Sequence, residues 1–337
     1  MIPTSSAEHY ARVVDEVIDH YRHWISPAVV EEVRVINAEL LAVLTYPSDV
    51  HKEEIGNLVR ATAWRLQDSG VYWLSARGHE IAAGYLEAAD EIIAAVGGAA
   101  TQYALIGSHA DVMRVVTRYA TLSATPSGDA LVSCLLSLSH SLSRRFGVAL
   151  RILRHTLSNL QALPQTSRVD VVLFASHNEL LAGHHSAAML YAVDAYEASE
   201  LEGVRSYASS LVRLLGDDVR VPGLVELQRI DLPERLMFLL WVPAVYRTFF
   251  ESDGGRDALL RPNPITPEGN YLAENLWIRG VLASMDVSRL RQLGRKRIAR
   301  SQWSRARQFF LLAGVDDRGV YDIVNLFADV GARLFQV

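Results

Sequence analysis

Cysteine is almost missing from this chain: Cys134 is the only one in 337 residues. A single thiol cannot staple a fold, which excludes the disulfide framework of a small secreted domain. Cys134 sits in the apolar run LVSCLLSLSH, where it reads as a small buried hydrophobe rather than a nucleophile. Glycine and proline are sparse too, at 21 and 11 residues, too few for a sandwich or barrel that turns roughly every ten residues. Lysine is the third scarcity. Lys52 and Lys296 stand against 31 arginines. A GC-rich coding sequence, bacterial or viral, produces such a bias, and so does a need for guanidinium forks that grip phosphate. Only the placement of the arginines separates the two.

Long hydrophobic runs are missing as well. The longest, LMFLLWVPAVY at 236–246, contains Pro243 and falls short of the roughly 20 residues that cross a bilayer. The opening MIPTSSAEHYARVVDEVIDHY has no cationic start and no apolar core segment, so no secretory leader is expected. These absences together predict a soluble protein without membrane contact, cytoplasmic, or in the virion if the chain is viral. Motifs of catalysis are likewise wanting. There is no Gly-x-x-x-x-Gly-Lys-Ser/Thr, no Gly-x-Gly-x-x-Gly and no Gly-x-Ser-x-Gly. Asp217-Asp218 is not followed by the third acid of a prenyl-diphosphate site. No cofactor is implied.

What is present is helical patterning. Half of the residues are apolar, enough for a sizeable core, and they recur at three- and four-residue spacing almost throughout. The spacing predicts a first helix over 6–24 with Ser5 or Ser6 as N-cap, and a second opened by Ser26-Pro27. Tyr46-Pro47-Ser48-Asp49 stops the second and caps a third that reaches about Leu66. Further helices are expected over 72–96, 108–122, 127–144, 146–163, 168–182, 184–200 and 203–216, then one from 233 to 252. Residues 169–174 also suit a short buried strand, although helix fits their neighbours better. The fold class expected is all-α, a multi-helical array or bundle of about 14–17 helices with few or no strands. The densest cluster of Gly, Pro, Asn and Asp, SDGGRDALLRPNPITPEG, divides a helical body (1–251) from a C-terminal helical segment (270–337) by a loop or boundary at 252–269. The run from Ser301 through Trp303, Ala306 and Phe310 to Ala313 is similar in spacing to the second half of a tetratricopeptide repeat. No 34-residue period runs through the chain, so generic helix packing explains it better.

The strongest chemical signal is SRLRQLGRKRIARSQWSRARQ. It carries Arg289, Arg291, Arg295, Lys296, Arg297, Arg300, Arg305 and Arg307, and no acid occurs between Asp286 and Asp316. The other 25 cationic residues face 38 acids, a balance of −13 that the overall −5 hides. Composition bias alone would scatter arginines among the acids. Clustering without acids points to an anionic partner, and Gly294 in the middle suggests an exposed turn and helix that phosphates approach from several sides. Trp303 adds a ring on which a base can stack.

All eleven histidines precede residue 186. Glu16, Asp19, His20 and His23 share one face of the first helix, a weak metal candidate. The Glu-x-x-His pair of helical di-iron sites is missing from the whole chain, and a solvated face explains the four residues better. His177, His184 and His185 with Glu179 form a second cluster, and Ser108-His109-x-Asp111 a third. Adjacent residues do not make a triad, and Ser108 reads more simply as an N-cap.

Three functions follow. The first is a non-catalytic helical assembly protein, forming homo-oligomers and contacting nucleic acid, RNA rather than DNA, through the C-terminal basic segment. A viral capsid subunit or nucleoprotein is one form of it. The second is a repeat-like helical adaptor that binds an acidic protein surface, and the third a helical enzyme with a His/carboxylate site.

Overall fold

The computed structural model describes residues 4–45, 52–119, 124–200, 205, 208 and 275–334. Among them it is all-α, with no strand and thirteen α-helices. These are α1 (Thr4–Tyr21), α2 (Pro27–Thr45), α3 (Lys52–Asp68), α4 (Tyr72–Ala82), α5 (Ala89–Leu105), α6 (His109–Arg118) and α7 (Pro126–Leu142). Then come α8 (Phe146–Ser158), α9 (Gln165–Ala182), α10 (His185–Ala198), α11 (Leu276–Gln292), α12 (Lys296–Ala313) and α13 (Gly319–Leu334). No helix of the described residues is long and apolar enough to cross a membrane. The expected helices over 203–216 and 233–252, the apolar run at 236–246 and the boundary at 252–269 lie outside the described residues.

Short connections lay each helix against the next, so α1 to α10 form an array in which neighbours in sequence are neighbours in space. Residues 169–174 lie inside α9, where five of the six side chains sit in the apolar core. One expected helix is two. The run expected over 72–96 breaks after Ala82, where Gly84 and Tyr85 turn back on Ile81 and Ala82. Tyr85 and Leu86 are thereby buried against Gly56 of α3, whose missing side chain leaves room for them. The helix after the break continues through Gly97 and Gly98 to Leu105. Glycine costs a helix interior stability, and packing demands it at neither position: a Cβ at Gly98 would stand in ordinary contact with the buried His79 ring, and one at Gly97 would meet nothing.

The C-terminal helices share the core of the N-terminal ones. Helix α11 is buried along almost its whole length and packs against both α12 and α13, while α13 also meets α7 and α9. Asn275 ties its start to the α3–α4 turn. Its side-chain oxygen caps the helix by accepting from the Ile278 N–H (3.2 Å), and its Nδ2 donates to the Asp68 carbonyl (3.2 Å). The Leu276 N–H donates to the Ser69 carbonyl at 2.9 Å. Gly70 makes that approach feasible. It has φ +76°, and a Cβ there would lie 2.5 Å from the Asn275 oxygen. Further along, the buried Arg279 lies over the Phe309 ring (4.3 Å) and donates to the Trp24 carbonyl (3.0 Å), joining α11, α12 and the α1–α2 connection.

Candidate functional site

The basic segment folds as the elbow between α11 and α12. Helix α11 closes with a Schellman motif: Gly294 takes φ +71° and the Arg295 N–H reaches back to the Leu290 carbonyl at 2.8 Å. The left-handed conformation accounts for the glycine, since nothing lies near the position its Cβ would take. The backbone then re-enters helix at Lys296. Ala299, Gln302, Ala306, Phe309, Phe310 and Ala313 of α12 are buried, and Trp303, Leu311 and Leu312 pack half-buried against the core. Arg291, Arg295, Lys296, Arg297, Arg300, Arg305 and Arg307 are all exposed.

Two of the basic residues are engaged by acids. Arg289 is half-buried beside Asp286 (3.7 Å), and Arg307 binds Asp317 (3.0 Å). Arg291, Arg295, Lys296, Arg297, Arg300 and Arg305 have no acidic partner among the described residues. Four of these, from Arg295 to Arg300, crowd the first turns of α12, which contain no acid. The N-terminal end of a helix carries the positive end of its dipole, so cations there are placed against the field. Lys296, Arg300, Trp303 and Arg307 follow at i, i+4, i+7 and i+11 and so share one face of α12, spanning about 16 Å of its axis. Trp303 is half-buried at the edge of that face and meets the 60 % exposed Tyr321 of α13 edge-on at 5.8 Å.

The histidine clusters of the sequence come apart. Glu16, Asp19, His20 and His23 are all exposed; Asp19 binds Arg34, His20 meets Tyr21 edge-on, and His23 accepts from Arg22. His177 is buried in α9, whereas His184 is exposed and bound to Glu179 at 2.6 Å. No group of three or more His, Cys, Asp or Glu side chains among the described residues is placed to hold a metal. Ser108 stands at the N-cap position of α6, but its hydroxyl caps nothing and donates to Asp111 instead (2.6 Å). Cys134 is buried in α7.

Two features escape sequence reasoning. The first is Glu80 of α4, only 3 % exposed at its side chain, on which three guanidiniums converge. Arg114 grips it with both terminal nitrogens, one at 3.0 Å, Arg118 donates at 3.3 Å, and Arg77 stands 3.7 Å away. The hydrogen bond to Glu80 holds the Arg114 pKa above its ordinary value, against the opposing effect of burial. The three arginines are 41–56 % exposed and stay hydrated without the carboxylate. Removing Glu80 therefore costs less than breaking a fully buried pair. Glu80→Gln is expected to lower unfolding free energy by about 2 kcal/mol, the scale of hydrogen bonds to charged groups, as read by urea denaturation. Unchanged stability would show that the cluster is not a structural clamp.

The second feature is a cavity of about 660 Å³ beside that cluster. Helix α1 contributes Ser6, His9, Tyr10 and Val13, and α4 contributes Trp73, Leu74, Arg77 and Ile81. Tyr103 and Ile106 from the end of α5, Ser108 and Asp111, and Gly314 and Asp316 after α12 complete it. Comparison of the chain with protein-family models, curated protein sequences and solved structures finds no significant match.

Proposed function

We propose that this is a non-catalytic helical protein that contacts nucleic acid, single-stranded RNA in particular, through the α11–α12 elbow. The observation that carries the reading is the crowding at the positive end of α12 of cations that have no acidic partner among the described residues. Their mutual repulsion and the helix dipole both disfavour the arrangement in the free protein. A phosphate backbone relieves both, because it meets side-chain charges and the helix terminus together. The surface is a protruding turn rather than a helix offered to a groove, and the Trp303–Tyr321 pair borders its basic face. Both suit a strand whose bases are splayed and free to stack. An elbow that touches its partner at one patch is compatible with the −13 carried elsewhere.

The test is fluorescence anisotropy with a labelled single-stranded RNA over a range of salt. Replacing Arg295, Lys296, Arg297 and Arg300 together by alanine is expected to weaken binding more than about tenfold at low salt. It should also flatten the slope of log K against log salt by about 3, since each phosphate contact on a single strand contributes roughly 0.7. Unchanged binding in the variant, or none at low salt in the wild type, overturns the proposal.

Leu293 and Ile298 favour a second reading. They are 58 % and 50 % exposed on the same elbow, and aliphatic side chains among cations suit an acidic protein surface with an apolar centre. In that case Leu293→Ser with Ile298→Ser abolishes capture of the protein partner and leaves RNA affinity unchanged.

A further inference from the structure

The cavity between α1, α4, α5, α6 and the α12–α13 connection lies at the other end of α12 from the elbow. Eighteen residues of helix separate the two, about 27 Å, so a ligand of one does not touch the other. A volume of 660 Å³ falls among those of small-molecule sites. Its lining divides into three kinds of surface. Tyr10, Trp73 and Tyr103 supply aromatic walls, with Val13, Leu74, Ile81 and Ile106 filling the apolar remainder. The Trp73 indole N–H is already satisfied by the Tyr21 hydroxyl at 3.0 Å, and the Tyr10 hydroxyl is buried away from solvent against Gly78 and Ala63. The Tyr103 hydroxyl donates to Glu80 (3.4 Å) and Arg114 lies over its ring (5.7 Å), so the half-buried Trp73 offers a ring face while Tyr10 and Tyr103, 2 % and 7 % exposed, offer only edges.

The polar lining has two signs. On the α4 side Arg77 belongs to the cluster in which three guanidiniums share Glu80, and it holds the loosest place there, 3.7 Å away and without a hydrogen bond. Its guanidinium fork is thus left for an anion. Asp111 is occupied by Ser108 and Arg114. Across the cavity, Asp316 accepts from the Gly319 N–H through one oxygen, so its other oxygen remains to accept from a ligand hydroxyl or amine.

A flat ring for the aromatic walls, a phosphate for Arg77 and hydroxyl donors for Asp316 are together the parts of a nucleotide. We propose that this cavity is a mononucleotide site, with the base among Tyr10, Trp73 and Tyr103, the phosphate on Arg77 and the sugar hydroxyls on Asp316. The inference does not rest on the elbow reading. Stacking on aromatic side chains supplies the affinity and is tolerant of base identity, while the guanidinium discriminates nucleotide from nucleoside.

Isothermal titration calorimetry on the full chain tests it with AMP, GMP, CMP and UMP, and with adenosine and ribose 5-phosphate. At least one mononucleotide is expected to bind with one-to-one stoichiometry and a Kd below about 1 mM, and ribose 5-phosphate to bind much more weakly. Val13→Trp, which fills the cavity from α1, should abolish binding. Ser6→Trp at the rim does the same should Val13→Trp fail to fold, as judged by circular dichroism. Arg77→Gln should weaken AMP about tenfold, the scale of a charge-assisted pair, and leave adenosine unchanged. The elbow variant with four alanines should bind AMP like the wild type. No saturable mononucleotide binding, equal binding of ribose 5-phosphate, binding that survives both cavity-filling variants, or loss in the elbow variant instead overturns the proposal.

Discussion

Replacing Trp277 by alanine is expected to lower the unfolding free energy by about 3–5 kcal/mol, the range for removing a large buried aromatic side chain. Trp277 is 2 % exposed in the second position of α11, and its ring meets Phe310 of α12 (6.1 Å) and Phe327 of α13 (5.6 Å) edge-on. Tyr72 of α4 lies tilted against it at 6.4 Å. Its indole N–H donates to the Leu105 carbonyl at the C-terminal end of α5 (3.0 Å), a group with no partner inside its own helix. One side chain thus joins five helices from both parts of the chain. Trp277→Phe keeps most of the ring contacts and removes the donor, so it isolates the hydrogen bond at about 1–2 kcal/mol. Urea denaturation followed by circular dichroism reads both. A loss under about 1 kcal/mol for alanine would mean that the C-terminal helices are not anchored through this residue.

The physical reasons for this anchoring were only partly legible in the sequence. The 3.6-residue period was readable because α1 to α3, α6 to α8 and α10 each bury one stripe, and period survives in a one-sided helix; α9 buries residues 169–178 without a break. Helix α11 buries nearly all round, including Arg279 and Ser284, so its side chains mark no inner face. The break at Gly84 was hidden because one glycine in an alanine-rich stretch looks the same whether it turns or continues. What decided it was room beside Gly56, 28 residues away in α3.

The candidate sites divide the same way. The elbow was readable since its charges are contiguous and its lack of acids is a local property. Its shape followed from Gly294, the left-handed residue at which two helices meet. The Glu80 cluster was not readable, because its arginines lie up to 38 residues away and look like any others in an arginine-rich chain. The cavity was beyond reach for a similar reason. Five separate segments line it, and none carries a motif alone. A site assembled by packing leaves no signature in spacing.

Acid is expected to destabilise this protein as pH falls below about 6.5, through two histidines held neutral in the core. His79 is 1 % exposed in α4 and His177 is 2 % exposed in α9. Burial pushes the His79 pKa down to about 3, with the Arg60 charge acting in the same direction, and burial alone pushes His177 down to about 4. His79 has room for one proton. Its Nε2 lies 3.3 Å from the Gln67 Oε1, which only accepts, while Nδ1 is buried with no partner. In the unfolded chain both imidazoles titrate at about 6.5. Between pH 6.5 and 4 the unfolded state therefore binds more protons than the folded one, and stability rises with pH. The contribution is fully present above pH 6.5 and is lost as pH falls towards 4. Each histidine adds a slope approaching about 1.4 kcal/mol per pH unit, so the pair gives nearly 3 near pH 5. Unfolding free energies from urea denaturation at pH 7, 6 and 5 measure it directly. His79→Gln and His177→Gln remove one titration each and should each halve the slope, whatever they cost at pH 7. A wild-type profile that is flat from pH 7 to 5, or a slope that both variants retain, would show that the imidazoles are protonated in the folded protein.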